Sequence, residues 1–302
     1  MRIAVMGAGA VGCYYGGMLA RAGHPVVFIG RPVHVEAMRR DGLRLQTATL
    51  DERVAVQAST CADAVAGAAL VLCCVKSTDT AAAARQMAPH LDAGTLVLSL
   101  QNGVDNAPRL RELLPQDVGA VVVYVAAQMA GPGHVRHHGR GDLVFETHGT
   151  DDALLDRFER AGIPSRRSGN VEGELWAKLA INCAYNALSA LTQLPYGQMR
   201  AGAGMAQVMH DIVAECLAVA AARGLSVPGD CFQAVADIGA SMAGQVSSTA
   251  QDLARGHPGE IDHLNGHVAR EGARLGVPTP VNRMLHATVR LLEQHPPLRR
   301  PS

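Results

Sequence analysis

A glycine-rich turn near the start of the chain constrains the fold more than any other segment. Residues 7–12 read Gly-Ala-Gly-Ala-Val-Gly, follow an apolar run at residues 1–6 and open a helical stretch at residues 12–21. Such glycines permit a tight turn and close backbone approach, and the helix N-terminus offers N–H donors to a pyrophosphate. A glycine turn that binds nothing is the alternative. The context favours a bound dinucleotide, with contacts from Gly7, Gly9, Ala10, Val11 and Gly12.

The first half of the chain alternates short apolar runs with helical stretches, which is the pattern of β-α-β units around a parallel sheet. Gly139, Arg140 and Gly141 stand between two extended runs in residues 135–146, which predicts an antiparallel hairpin at the sheet edge. The apolar runs after the first are rich in Val, Ile, Leu and Ala, as in strands buried on both faces, and cover residues 26–29, 70–75, 96–100 and 118–125.

Strand signals end near residue 168, and the rest of the chain is Ala-rich and helical in period. We therefore predict an α/β fold, with a Rossmann-type doubly wound parallel sheet in an NADP-binding domain at residues 1–169. An all-helical substrate and catalytic domain follows at residues 170–302. Polar residues 166–170 are the expected hinge, and residues 295–302 the expected frayed tail.

Composition excludes several classes of protein. Lys plus Arg and Asp plus Glu both number 27, so the net charge is zero, whereas nucleic-acid binders normally carry a basic excess. The longest apolar run, residues 118–127, is shorter than the roughly 20 residues of a membrane span. The scattered cysteines include no C-x-x-C pair that would indicate zinc. We expect a cytoplasmic protein with a small-molecule substrate and without nucleic-acid or membrane partners, and leave a homodimer open.

Three side chains at strand ends indicate the cofactor. Arg31 follows the strand at residues 26–29, where an NAD site normally has an acidic residue and an NADP site an arginine. Lys76 and Asn102 follow two later strands, at the carboxyl edge where ligands of parallel sheets bind. A solvated arginine and a simple Asn-Gly turn are the alternatives. We expect NADPH, with Arg31 at its 2′-phosphate.

A polar stripe interrupts the apolar helical stretch at residues 175–191. Lys178, Asn182 and Asn186 follow i, i+4, i+8 spacing and so share one helix face. An outer face usually carries several charges, and this one carries a single lysine, which favours a pocket-facing stripe over a solvated one.

Two later polar segments provide further candidates, Ser248 and Glu260. Glu260 follows a Pro-Gly break, so we expect it in the first turn of a helix, where a purely capping role is the alternative. The histidines of residues 134–138 and the pair His263 and His267 are interpreted as structural or surface residues, and no metal site is predicted.

Taken together, these motifs resemble the ketopantoate reductase (2-dehydropantoate 2-reductase) family of pantothenate biosynthesis over essentially the whole chain. The resemblance implies a two-domain reductase with NADPH as hydride donor. It implies Lys178 and Glu260 as catalytic residues, Lys76 and Asn102 at the cofactor, and three substrate-binding residues, Asn182, Asn186 and Ser248. Family members often have a threonine directly before the acid and an arginine upstream, whereas residues 255–259 here read Arg-Gly-His-Pro-Gly. This departure concerns the loop before Glu260, and we expect it to affect the choice of substrate more than the reaction.

The expected reaction is hydride transfer to the carbonyl carbon of a small 2-keto acid, most simply 2-dehydropantoate, with Lys178 as general acid. An ammonium can both stabilise the growing alkoxide and give up its proton. Burial would lower the pKa of Lys178 and a nearby Glu260 would raise it, which leaves its protonation state open. Other NADP-dependent hydroxyacid or opine-type dehydrogenases, an NADPH sensor without turnover, and a metal-dependent enzyme using His263 and His267 are the alternatives.

Overall fold

The structure is a computed structural model that describes residues 1–147 and 149–295. The chain divides into two compact units, Met1–Val171 and the remainder from Glu172. Apart from His295, the predicted frayed tail lies outside the described residues.

The first unit contains a ten-stranded sheet with helices packed against it. Its strands are β1 (Ile3–Met6), β2 (Val26–Ile29), β3 (Leu43–Gln46), β4 (Asp51–Val54), β5 (Gln57–Ser59), β6 (Leu70–Cys73), β7 (Leu96–Ser99), β8 (Val118–Gly131), β9 (His134–Glu146) and β10 (Ser165–Ser168). Its α-helices are α1 (Ala10–Arg21), α2 (Pro32–Asp41), α3 (Thr80–Met87), α4 (Asn106–Leu113) and α5 (Asp152–Arg160), and short 3₁₀ helices cover Ala62–Val65, Ser77–Asp79 and Ala88–His90.

The strand order is β4-β3-β9-β8-β7-β6-β1-β2-β5, and β10 pairs with β9. From β8 through β7, β6, β1 and β2 to β5 all neighbours are parallel, with β1 between β2 and β6. Every residue of β1, β2 and β6 is buried, as the apolar runs predict. The predicted Rossmann-type parallel sheet is therefore confirmed.

The predicted position of the hairpin turn is wrong. β8 and β9 pair antiparallel, but the chain turns at Pro132-Gly133, between these two strands. The Gly139-Arg140-Gly141 segment lies inside β9, where all three residues have positive φ and the register with β8 shifts. Glycines with positive φ suit a β-bulge as well as a turn, so the glycines at this position do not distinguish the two. The hairpin also lies away from the edge, because β3 and β4 continue the sheet beyond β9.

The predicted hinge is also partly wrong. Residues 166–168 belong to β10, which pairs in parallel with β9 through Leu143 to Glu146. The polar composition indicated a hinge because β10 is a short strand with two exposed arginines. Only residues 169–170 separate β10 from the next helix.

The second unit is helical, and residues 172–295 contain no strand. Its elements are α6 (Val171–Thr192), α7 (Tyr196–Arg200), α8 (Met205–Ala222), α9 (Cys231–Ser241), α10 (Ser248–Ala254), a 3₁₀ helix (Ile261–His263), α11 (Asn265–Leu275) and α12 (Pro280–Gln294). The Pro and Gly breaks separate the helices because proline removes an N–H donor and glycine favours the conformations that end helices. The predicted helical C-terminal domain is confirmed.

Helix α8 forms part of the core of the second unit. Its length and apolar composition would suffice to cross a membrane, which is weak support for a span because core helices share these properties. It packs on α11 and α12, and its Glu215 carboxylate accepts the backbone N–H of Val281 at 2.8 Å and of Asn282 at 2.9 Å. Glu215 therefore caps the N-terminus of α12, whose first N–H groups have no intrahelical partners.

Candidate active site

The glycine turn between β1 and α1 has the geometry of a pyrophosphate cradle. Gly7 has φ +109°, and a Cβ there would lie 2.6 Å from the backbone N of Val75. A Cβ on Gly12 would lie 2.2 Å from the carbonyl oxygen of Gly7, so α1 reaches the strand only because residue 12 is glycine. A Cβ on Gly9 would instead meet nothing within 4 Å.

The N-terminus of α1 completes this cradle. Gly9 is the N-cap, and no side chain of the described residues caps the helix. The first N–H groups of α1, from Ala10 to Gly12, have no intrahelical acceptor and stand at the positive end of the helix dipole. These residues fit the diphosphate of a dinucleotide.

Arg31 lies next to the glycine turn. The backbone N–H groups of Gly7 and Ala8 both donate to the carbonyl of Ile29, at 2.9 and 3.0 Å, so the turn and the end of β2 are joined. Arg31 is exposed, follows that end by two residues and is the N-cap of α2, where its side chain makes no capping hydrogen bond. Its guanidinium is therefore available to an anionic group bound at this edge of the sheet.

Lys76 and Asn102 leave neighbouring strands at the same edge. Cys73 and Ser99, the last residues of β6 and β7, are register partners, and Lys76 and Asn102 each follow three residues later. Both residues are half-buried. The structure thus brings the glycine turn, Arg31, Lys76 and Asn102 together at the carboxyl ends of the parallel strands, where ligands bind in such sheets.

A buried polar network, which the sequence did not reveal, fixes these two loops. Asn106 Nδ2 donates to the carbonyl of Asn102 at 2.6 Å and to Ser77 Oγ at 3.0 Å, and its Oδ1 accepts from Thr80 Oγ1 at 2.8 Å. Gln101 Nε2 donates to Thr80 Oγ1 at 2.7 Å. Ser77 and Thr80 are fully buried, so the network joins the loop of Lys76 to that of Asn102.

Alanine at Asn106 should lower the free energy of unfolding by about 1–3 kcal/mol, because a buried carbonyl and hydroxyl lose their partner. The measurement is urea unfolding followed by circular dichroism. Gln86→Ala, an exposed substitution on α3, is the control and should stay within about 0.5 kcal/mol of wild type. Equal stabilities of the two variants would contradict the network's role.

In the second unit, the polar stripe of α6 does not lie on an exposed face. Lys178 and Asn182 are half-buried, and Asn186 is only 5% exposed. That burial disagrees with a fully solvated stripe and favours the pocket-facing interpretation.

The start of α10 is fixed to this stripe by Ser247, a motif residue to which the sequence assigned no role. Ser247 Oγ donates to the carbonyl of Asn186 at 3.3 Å and accepts the N–H of Ala250 at 3.1 Å. Ser247, and not Ser248, is therefore the N-cap of α10. Ser248 is the first helical residue and is exposed, which leaves its hydroxyl for another partner.

Glu260 differs from its predicted position. It is the N-cap of the 3₁₀ helix Ile261–His263 and does not lie in the first turn of a helix. Asn265, at the start of α11, anchors the following segment to α6, because its Nδ2 donates to the carbonyl of Cys183 at 3.2 Å and to Asn282 Oδ1 at 2.9 Å. Asn265 is fully buried, so this anchor is part of the core.

The histidines form no metal site within residues 1–147 and 149–295. No group of three or more His, Cys, Asp or Glu side chains in this part of the chain is arranged to hold an ion. His267 instead packs its ring against Trp176, with centroids 5.8 Å apart.

A dinucleotide cradle on a parallel sheet and a helical second unit fit a nicotinamide-dependent oxidoreductase, and the relatives named below place the chain among those that act on CH–OH groups. The model of the family described as "Ketopantoate reductase PanE/ApbA" matches residues 3–149, and that of its C-terminal region matches residues 170–293. The chain belongs to the ketopantoate reductase family.

Individual relatives agree with this assignment. A 2-dehydropantoate 2-reductase of Halobacterium salinarum is 33% identical, over 97% of this chain and 99% of the relative. A crystal structure of a PanE/ApbA family ketopantoate reductase from Ralstonia eutropha JMP134 is 60% identical with a TM-score of 0.95, over 97% of this chain and 99% of that one. A D-mandelate dehydrogenase solved with NADH and anilino(oxo)acetate has a TM-score of 0.90 at 24% identity, over the same shares of the two chains, which is a likeness of fold.

Proposed function

We propose that the protein reduces 2-dehydropantoate to pantoate with NADPH, as a cytoplasmic enzyme. The observation that carries the proposal is the match of the ketopantoate reductase family models to both halves of the chain. The 33% identical relative named 2-dehydropantoate 2-reductase supports the same substrate.

The first unit would bind the cofactor. The N–H groups at the start of α1 would hold the diphosphate, and Arg31 would pair with the 2′-phosphate, for which a guanidinium fork is well suited. Lys76 and Asn102 would contact the cofactor beyond β6 and β7. When bound, the reduced nicotinamide supplies the hydride for the carbonyl carbon of the substrate.

The second unit would supply the acid and the substrate contacts. The Lys178 ammonium stabilises the negative charge that develops on the carbonyl oxygen and donates its proton to that oxygen. Glu260 orients the lysine or the substrate. Asn182, Asn186 and Ser248 bind hydroxyl and carboxylate oxygens through neutral donors, which adds no second permanent charge beside the reacting carbon.

The test is NADPH oxidation by the purified protein with a panel of 2-oxo acids that includes 2-dehydropantoate. We expect the highest kcat/KM for 2-dehydropantoate, with pantoate as the product identified by mass spectrometry. The second candidate is reduction of a different 2-oxo acid, because a D-mandelate dehydrogenase has a similar fold. A higher kcat/KM for an aromatic 2-oxo acid would favour it. If none of the acids supports NADPH oxidation, both candidate functions are contradicted.

Alanine at Ser248 should raise KM for the 2-oxo acid by roughly tenfold or more, because a hydrogen bond to a charged group contributes about 1.5–3 kcal/mol. The affinity for NADPH should stay at the wild-type value. Ser247→Ala is the matched control, because loss of the α10 cap should lower stability by about 1 kcal/mol instead. Unchanged KM in Ser248→Ala would remove this residue from the substrate site.

A further inference from the structure

The turn that carries Glu260 is held by side chains of α12. Gly259 is buried directly before it, and the 3₁₀ helix Ile261–His263 follows directly after it. The N–H of His263 donates to the carbonyl of Glu260 at 2.9 Å, and Ile261 is fully buried. Any group that fixes the backbone on both sides of Glu260 therefore fixes the point from which its side chain extends.

Two contacts from α12 hold the turn, one on either side of Glu260. The carboxylate of Glu293, whose side chain is 5% exposed, accepts the N–H of Gly259 at 2.8 Å. His286 Nε2 pairs with Asp262 Oδ1 at 2.6 Å. One contact lies one residue before Glu260 and the other lies two residues after it.

Arg290 joins these two contacts. Its Nη1 lies 3.1 Å from Glu293 Oε2 and 3.6 Å from Asp262 Oδ2, so one guanidinium bridges both carboxylates. Arg270 Nη2 also donates to the carbonyl of Asp262 at 2.7 Å. Burial opposes ionisation of Asp262, but the His286 hydrogen bond and the arginine charges outweigh burial and lower the pKa of this carboxyl. The turn is therefore held by a charged network.

The three side chains of α12 have the spacing of a single face. His286, Arg290 and Glu293 follow i, i+4, i+7, which places them along one side of the helix. The same network reaches the other substrate segment, because a Cβ on Gly259 would lie 2.8 Å from Cγ2 of Thr249, the neighbour of Ser248. A larger residue at position 259 would separate the turn from α10.

The geometry points to His286, Arg290 and Glu293 as a clamp on α12 that positions Glu260 for the reaction. This inference rests on the proposed function, in which Glu260 orients the lysine or the substrate. The clamp residues are positioning residues, since they act on Glu260 through the N–H of Gly259 and the side chain of Asp262. Sequence alone does not indicate this positioning role, because the three residues lie about 30 positions beyond Glu260.

The test compares two variants of Glu293. Glu293→Ala removes the acceptor for Gly259 and should lower kcat/KM for the 2-oxo acid by about tenfold, since small displacements of catalytic groups are costly, while NADPH affinity is unchanged. Glu293→Gln keeps an acceptor oxygen and should recover most of the loss. Leu291→Ala, an exposed substitution on the same helix, should match wild type. Circular dichroism checks that each variant is folded.

Two further measurements make the inference falsifiable. In a Glu260→Gln background, Glu293→Ala should lower kcat/KM no further, because the carboxylate that the clamp positions is already absent. Hydrogen exchange of the amides at residues 259–263 should be about tenfold faster in Glu293→Ala, whatever the substrate is. Wild-type kcat/KM in Glu293→Ala, full additivity with Glu260→Gln, or unchanged exchange would overturn the clamp. Failure of the wild-type protein to reduce any 2-oxo acid would overturn the proposed function instead, and the exchange experiment would still decide the clamp.

Discussion

Alanine in place of Lys178 should lower kcat for the 2-oxo acid by about 10²- to 10⁴-fold, the usual contribution of a general acid. In the proposed mechanism the ammonium acts on charge that develops only as the carbonyl is reduced, so its loss should affect the transition state far more than the ground state. NADPH affinity should therefore stay close to wild type, as measured by fluorescence titration, while single-turnover kinetics report the slowed chemical step.

Two controls separate chemistry from packing in this experiment. Lys178→Met keeps much of the length of the half-buried side chain and should lose as much turnover as alanine if the ammonium matters. Glu260→Gln should lower turnover by less, because in the proposed mechanism Glu260 orients the lysine or the substrate and does not transfer the proton. Near-normal turnover in a folded Lys178→Ala variant would assign the proton to another group and make the α6 stripe a structural feature.

The lysine content of the chain supports this choice of residue. Lys76 and Lys178 are the only lysines among the 27 basic residues, and all others are arginines. A guanidinium stays protonated in proteins, whereas an ammonium can shift its pKa and give up a proton. Of the two basic residue types, lysine is therefore the one suited to proton donation at the reacting oxygen.

The central sheet could be predicted because its buried strands have a recognisable apolar sequence. β1, β2 and β6 are buried along their whole length, so each is an uninterrupted apolar run. β4 is almost wholly exposed and charged, and it forms only because it pairs with β3. Short strands of that kind leave no hydrophobic pattern, so the sequence showed half of the sheet.

The candidate site also contains residues that the sequence identified and residues that it did not. Gly7, Gly12 and the α6 stripe were visible because each breaks a local pattern, either of backbone freedom or of apolar spacing. Ser247 and Asn265 lie within the recognised motifs but were assigned no role, because their partners are carbonyls of α6 that lie far away in sequence. Local pattern identifies residues that touch a ligand more readily than residues that hold the site in place.

Alanine in place of Arg31 should weaken NADPH binding by roughly tenfold or more and leave NADH binding little changed, because charge-assisted hydrogen bonds to a 2′-phosphate contribute about 1.5–3 kcal/mol. The substitution should leave the fold intact, since Arg31 is exposed and its side chain does not cap α2. Titration calorimetry gives the dissociation constants for both cofactors. The ratio of the NADH constant to the NADPH constant then tests whether Arg31 contacts the 2′-phosphate.

The controls for Arg31 use charge and salt. Arg85→Ala removes an exposed arginine from α3 of the same unit and should leave both dissociation constants unchanged. Raising the ionic strength should reduce the wild-type preference for NADPH, because an exposed ion pair is screened within a Debye length of about 10 Å at 0.1 M salt. An equal loss of NADPH and NADH affinity in Arg31→Ala would mean that this guanidinium contacts a part common to both cofactors, and the 2′-phosphate would then need a different partner.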